Sequence, residues 1–269
     1  MINPQGSNNL QLDELELTEA EMHLYARQIL LEGWDIDAQE KLKLANVLIV
    51  GCGGIGCTTA ELLARAGVGK ITLIDADIIE ISNLQRQIAY TENNIGFYKA
   101  EVLANRLRQI NPHISIESHT VLLDENNAVD LIGQQDLVLD GCDNFTTRYL
   151  VNQVCTYVQV PLISASAIGF QGQLLMVEDD SACYACLFPK EQHNNESLRC
   201  ADSGVLATTP NVMASLQAHH ALLYLGLGQS PLRQKLLLWD GLTMKQRILA
   251  FEKDTDCTNC QASHAAKPN

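Results

Sequence analysis

Four of the nine cysteines form two CxxC pairs, Cys183/Cys186 and Cys257/Cys260. Two intervening residues let both thiolates of a pair turn toward one ion, which is the spacing of metal ligands. The other reading of such pairs is two redox dithiols, but neither pair sits in a thioredoxin-like context. A second chemical feature lies far upstream, at Gly51-Cys52-Gly53-Gly54-Ile55-Gly56. It follows the β-branched run Val47-Leu48-Ile49-Val50 and opens a helical stretch. Glycines at that place let backbone N–H groups approach a phosphate at the positive end of the helix. Asp75 closes the next apolar run, Ile71-Thr72-Leu73-Ile74, where a carboxylate can accept hydrogen bonds from ribose hydroxyls. A glycine turn alone would also suit a tight structural bend. With strand, helix and acid in register it predicts a nucleotide site.

A triphosphate with its metal needs several cations aimed at it and a carboxylate for the metal. The chain offers Arg86 in Ser82-Asn83-Leu84-Gln85-Arg86-Gln87, Lys99 at the start of a helix, and Arg27 in Tyr25-Ala26-Arg27-Gln28. Asp143 falls at the carboxyl end of a strand, on the sheet edge where ligands of this fold bind. Each of these, taken singly, reads as a solvated surface residue; beside the glycine turn the set reads as a phosphate site.

The elements that would position these groups are legible in outline. Thr18 and Glu21 form a capping box that opens a helix through Leu30. Residues 56–66, 99–110 and 145–158 have helical character, and Asn83–Gln87 reads as a loop or short helix. Ile114–Ser118, Leu137–Asp140 and Pro161–Ser166 read as strands. Strands alternating with helices over the first 165 residues predict a doubly wound, mostly parallel α/β sheet of the Rossmann type. The pattern then changes to hairpin-like strands at 172–178, 235–240 and 246–252, with a polar loop at 189–204 and a helix from about Asn211 to Leu225. The expected organisation is a loose segment over 1–17, one domain over 18–260 and a polar tail over 261–269. Within that domain, 18–170 would bind nucleotide, and 171–260 would add antiparallel strands locked by the metal site.

At 269 residues and 46% hydrophobic the chain can bury a large core, and its formal charge of −14 disfavours nucleic acid or anionic lipid as partners. An anion would have to sit in a local cationic pocket. No stretch approaches eighteen apolar residues and no signal peptide opens the chain, so a cytoplasmic protein is expected.

Tyr25-x-Arg27-Gln28-Ile29-Leu30, the GxGGxG turn, Ala66-Gly67-Val68-Gly69, Asp75-x-Asp77, Ser82–Gln87, Lys99, Asn111-Pro112, Asp143-Asn144 and the two CxxC pairs occur in order. Together they resemble the ubiquitin-activating superfamily. Within it the chain is similar to the bacterial branch of molybdopterin-synthase adenylyltransferases and their thiamine-pathway counterparts. The resemblance implies that MgATP adenylylates the C-terminal glycine of a small ubiquitin-fold sulfur carrier ending in Gly-Gly. It implies a nucleotide site from Gly51, Gly53, Gly54, Gly56, Asp75, Asp77, Asn83, Arg86, Gln87, Lys99 and Asp143. Asp75 would hold the ribose, Asn83, Arg86 and Lys99 the phosphates, and Asp143 Mg²⁺. Arg27 would reach the phosphates from the other subunit of a homodimer. Cys183, Cys186, Cys257 and Cys260 would bind one structural Zn²⁺, and a separate protein would donate the persulfide.

Cys200 lies in a polar loop beside Arg199, where a cation can lower a thiol pKa. It reads either as a sulfur-transfer thiol, as in some relatives, or as a loop cysteine without chemistry. Cys52, Cys57, Cys142 and Cys155 read as core thiols, and the seven histidines, including His219-His220, as packing or surface residues. The chain departs from the family pattern at Asn211 and Ala214, where glycines are usual. It departs again at His220 and Leu223, where Glu and Lys are usual, and at Cys142, where threonine is usual. These departures put the packing around that helix, and the preferred carrier, in question. The competing functions are a nicotinamide-dependent oxidoreductase on the same fold and a carrier-binding member without turnover.

Overall fold

The computed structural model describes residues 16–189 and 204–265. Its frame is one eight-stranded sheet in the order β3-β2-β1-β4-β5-β6-β7-β8. The strands are β1 (Asn46–Val50), β2 (Lys70–Ile74), β3 (Ser115–His119), β4 (Leu137–Asp140), β5 (Leu162–Ile168), β6 (Gln171–Val177), β7 (Lys235–Asp240) and β8 (Lys245–Ala250). β3 through β5 pair in parallel, and β5 through β8 pair antiparallel. The expected doubly wound sheet with an antiparallel extension is therefore borne out.

Parallel central strands must be apolar on both faces. β1 obeys this: Val47 and Ile49 enter one core, Leu48 and Val50 the other. The first core is covered by α2 (Asp35–Leu44), α3 (Gly56–Ala66), α4 (Lys99–Ile110) and α8 (Thr208–Leu227). The second is covered by α5 (Ala128–Ile132), α6 (Phe145–Val158) and α7 (Tyr184–Leu187), closed by Cys257 and Cys260 beside α9 (Thr258–Ala265). None of the described helices is long and apolar enough to cross a membrane.

The amino-terminal helix α1 (Glu19–Ile29) starts at the predicted capping box. Its Tyr25 and Gln28 face inward: the Tyr25 hydroxyl accepts from Asn111 at 2.7 Å, and Gln28 Nε2 donates to the Ala66 carbonyl at 3.1 Å. Helix α1 is thus fastened to the carboxyl end of α3, and Arg27 is left exposed. Helix α2 escapes the sequence reading because Trp34 stands at its N-cap with no side-chain hydrogen bond to announce the start. Helix α9 runs into the stretch read as a polar tail.

Candidate active site

A cavity of about 680 Å³ opens over the carboxyl ends of β1, β2 and β4. Strand order reverses between β1 and β4, the place where open α/β sheets bind ligands. Gly51, Gly53, Gly54, Asp75, Asp77, Asn83, Arg86, Gln87, Lys99 and Asp143 all line it. These residues come from stretches more than ninety positions apart in the chain, and the sheet edge brings them together.

The glycine turn is shaped by two backbone demands. Gly51 has φ +88°, in the region that side-chain-bearing residues avoid. A Cβ on Gly56 would collide with the Gly51 carbonyl, so Gly56 seals the underside of the turn and does not line the cavity. The Cys52 amide donates to Asp75 Oδ2 at 2.7 Å and the Asp77 amide to Asp75 Oδ1 at 2.8 Å. Both carboxylate oxygens are oriented by the backbone, which fixes Asp75 at the end of β2. Burial raises the Asp75 pKa, and the Lys99 charge opposes that rise.

Lys99 is 7% exposed and heads α4. Its Nζ lies 2.8 Å from Asp77 Oδ2, and its amide donates to the Asp77 carbonyl at 3.0 Å. The Tyr90 hydroxyl donates to the Cys52 carbonyl at 2.7 Å, with the Lys99 carbonyl 3.3 Å away, holding the glycine turn beside α4. Arg86 Nη1 donates to the Ser82 carbonyl at 3.0 Å, and Asn83 Oδ1 accepts from the Glu80 amide at 3.1 Å. Gln87 is buried at the cavity wall with no partner for Oε1 among the described residues.

Asp143 is exposed on the opposite wall, in the loop after β4. A buried ion pair missed by the sequence reading braces this loop. Arg148 Nε donates to Asp140 Oδ2 at 2.9 Å, and its Nη2 donates to the Cys142 and Ala165 carbonyls at 2.6 and 3.0 Å. Asp140 also accepts from the Cys142 amide at 2.9 Å and from the Ser164 hydroxyl at 2.6 Å. Burial alone would lower the Arg148 pKa, but Asp140 raises it above the ordinary value, so the guanidinium stays charged. The available signal was an arginine inside an otherwise apolar helical face, seven residues before Cys155.

Arg27 is exposed on α1 and does not line this cavity, and Cys200 lies outside the described residues. Cys52, Cys57, Cys142 and Cys155 are buried, and burial is the main cause holding each thiol pKa above its ordinary range. They are core thiols, as expected. His220 is likewise buried, and desolvation lowers its pKa to about 4.

The four remaining described cysteines converge. Cys183 Sγ lies 3.8 Å from Cys186 and 3.7 Å from Cys257, and Cys186 lies 3.6 Å from Cys260. All four sulfurs fall within 4.8 Å of one another. A disulfide needs about 2.05 Å, whereas four thiolates around one ion sit at separations like those found here. Helix α7, which starts after Cys183 and carries Cys186, also carries Tyr184, and Tyr184 and Phe188 line the cavity.

A doubly wound sheet whose ligand edge carries this glycine turn is the architecture of a nucleotide-binding protein. Residues 25–260 match the model of the ThiF family, and the chain belongs to that family. It is 40% identical to the molybdopterin-synthase adenylyltransferase of Escherichia coli (strain K12), over 91% of this chain and 98% of that protein. It is 38% identical to the adenylyltransferase and sulfurtransferase MOCS3 of Xenopus laevis over 93% of this chain, but it spans only 56% of that protein's length. Among solved structures, E. coli MccB crystallised with ATP superimposes with a TM-score of 0.79 at 26% identity, covering 92% of this chain and 76% of that one.

Proposed function

We propose that this chain is an adenylyltransferase that uses MgATP to cap the C-terminal carboxylate of a small ubiquitin-fold sulfur carrier ending in Gly-Gly. One observation carries the reading. A single cavity gathers a glycine turn, an oriented ribose-type carboxylate, the cations Arg86, Lys99 and Arg148, and an exposed carboxylate on the facing wall. The relatives named as adenylyltransferases across nearly the whole chain support it; they lend nothing to a nicotinamide oxidoreductase or to a binding protein without turnover.

In this reading the carrier's carboxylate oxygen attacks the α-phosphorus of ATP. The bond from that phosphorus to the bridging oxygen breaks, and pyrophosphate leaves with the electron pair. The attacking group is already ionised, so no strong general base is needed. The backbone amides of the glycine turn, Arg86 and Lys99 take up charge developing on the phosphates. Asn83 and Gln87 add polar contacts, Asp75 holds the ribose hydroxyls, and Asp77 keeps the Lys99 ammonium in place. Asp143, exposed on the facing wall, suits a magnesium ligand, and magnesium supplies neutralisation of phosphate charge.

The thiolate centre fits zinc. A tetrahedral ion with Zn–S bonds of about 2.3 Å places its sulfurs about 3.8 Å apart, and the separations of 3.6 to 3.8 Å agree. Arg27 is exposed and outside its own chain's cavity, which suits an arginine reaching a second copy's phosphates in a homodimer. A separate persulfide donor would follow adenylylation, with Cys200 either receiving sulfur or taking no part. The carrier of molybdopterin synthase is the first candidate substrate, and the thiamine-pathway carrier the second.

The test is incubation with MgATP and each purified carrier, read by intact-mass spectrometry. The expected result is one added adenylyl group on one carrier, absent when ATP is omitted. Unmodified carriers, under conditions where an active homologue modifies them, would overturn the reading.

A further inference from the structure

Asn211, in the first turn of α8, joins α3, the Arg86 segment at the cavity wall and the start of its own helix. Its Oδ1 accepts from the Thr58 hydroxyl on α3 at 2.6 Å. Its Nδ2 donates to the backbone carbonyl of Arg86 at 3.2 Å and to the Ala207 carbonyl at 2.9 Å. Next to it, Pro210 packs against the glycine turn so closely that a Cβ on Gly54 would meet its ring carbon at 3.0 Å. The same hypothetical Cβ would lie 3.5 Å from Arg86 Cγ. Asn211 therefore stands where the phosphate helix, the glycine turn and the Arg86 segment meet.

Arg86 has little else to fix it. Its amide donates to the Asn83 carbonyl at 3.1 Å and its guanidinium to the Ser82 carbonyl at 3.0 Å, both within its own short turn. Among the described residues, the hydrogen bond from Asn211 ties the Arg86 backbone to α8. A second rung lies two turns along α8. There Gln217 accepts from Thr59 at 2.9 Å and donates to the Asp140 and Ile163 carbonyls at 2.9 and 2.8 Å. That rung braces the other wall and does not touch Arg86.

We propose that Asn211 is a positioning residue that sets Arg86 against the phosphates of ATP, an assignment that rests on the nucleotide reading above. A glycine at this position would leave the Thr58 hydroxyl and the Arg86 carbonyl without this shared partner. The asparagine makes α8 part of the phosphate site in this chain.

The experiment measures equilibrium binding of MgATP by calorimetry to the full chain, to Asn211→Ala, to Arg86→Ala and to the double variant. Asn211→Ala is expected to weaken MgATP binding roughly three- to tenfold, the size of one or two lost neutral hydrogen bonds. In the Arg86→Ala background the same substitution should change binding less than about twofold, because its effect passes through Arg86. Asn211→Asp keeps an acceptor for Thr58 but sets a carboxylate against the Arg86 carbonyl, and it should weaken binding at least as much as alanine. Unchanged affinity in Asn211→Ala would overturn the assignment, as would an equal loss in both backgrounds, which marks general loosening. The carrier assay separates this outcome from the wider reading. MgATP binding with the predicted coupling but no carrier modification would overturn the carrier and leave Asn211 in place. No MgATP binding by the unaltered chain would overturn both.

Discussion

The two ends of the sheet are held by different means. In the parallel part β1 and β2 each bury four of five residues, and the glycine turn is set by backbone contact too close for any side chain at Gly56. At the antiparallel end β8 exposes all six residues and α7 is four residues long. Hydrocarbon burial supplies the frame on one side. On the other, four sulfurs converge at the edge of the second core, with Cys183, Cys257 and Cys260 buried in it. The two ends still share one cavity: Tyr184, between the first two cysteines, stacks beneath Arg148 at 5.8 Å, and Arg148 braces the loop that carries Asp143. The sulfur cluster at one end therefore adjoins the cavity wall at the other.

That contrast is broken most forcibly at the four sulfurs, where zinc is the proposed ion. Structural zinc sites carry apparent binding energies of about 10–16 kcal/mol. Stripping the ion with a strong chelator, or replacing Cys257 with serine, should release one zinc per chain. Hydrogen exchange should rise sharply over α7, β8 and α9 while β1 and α3 stay protected. Uniform protection after chelation would show that the sulfurs do not depend on an ion. On the other side, Gly56→Ala should cost on the order of 3 kcal/mol in a urea titration, because the added methyl meets backbone that cannot yield. A loss below about 1 kcal/mol would show the turn to be looser than its contacts imply.

The smallest effect sharpens the comparison through pH. His220 on α8 is buried, its Nδ1 has no partner among the described residues, and desolvation lowers its pKa from 6.5 to about 4. The unfolded chain then binds a proton that the folded one refuses, so this contribution is full above pH 6.5 and is lost as pH falls toward 4. The loss is at most about 3 kcal/mol. His220→Gln should flatten the stability profile between those values; an unchanged slope would mean the imidazole is not desolvated.

Much of this arrangement is legible in the residues. The boundaries of α3, α4, α6, β4 and β7 follow from apolar runs between clear starts and stops. The cavity wall follows from motifs that each carry a local mechanism. Helix α2 is hidden because its N-cap position carries tryptophan, and α5 because five residues are too few to show a period. The Arg148–Asp140 pair and the Asn211 bridge are hidden for a different reason. The Asn211 partners Arg86 and Thr58 lie 125 and 153 residues away, and Arg148 meets Asp140, eight residues before it, only because the intervening loop turns back; nothing local distinguishes either residue from a solvated one.

The central claim is that this cavity performs adenylyl transfer, and carrier-dependent exchange of labelled pyrophosphate into ATP tests it most directly. The unaltered chain should catalyse exchange only when its carrier is present, and Lys99→Ala and Asp143→Ala should each slow it by roughly 10² to 10³. Exchange that persists at full rate in both variants, or that needs no carrier, would contradict the account.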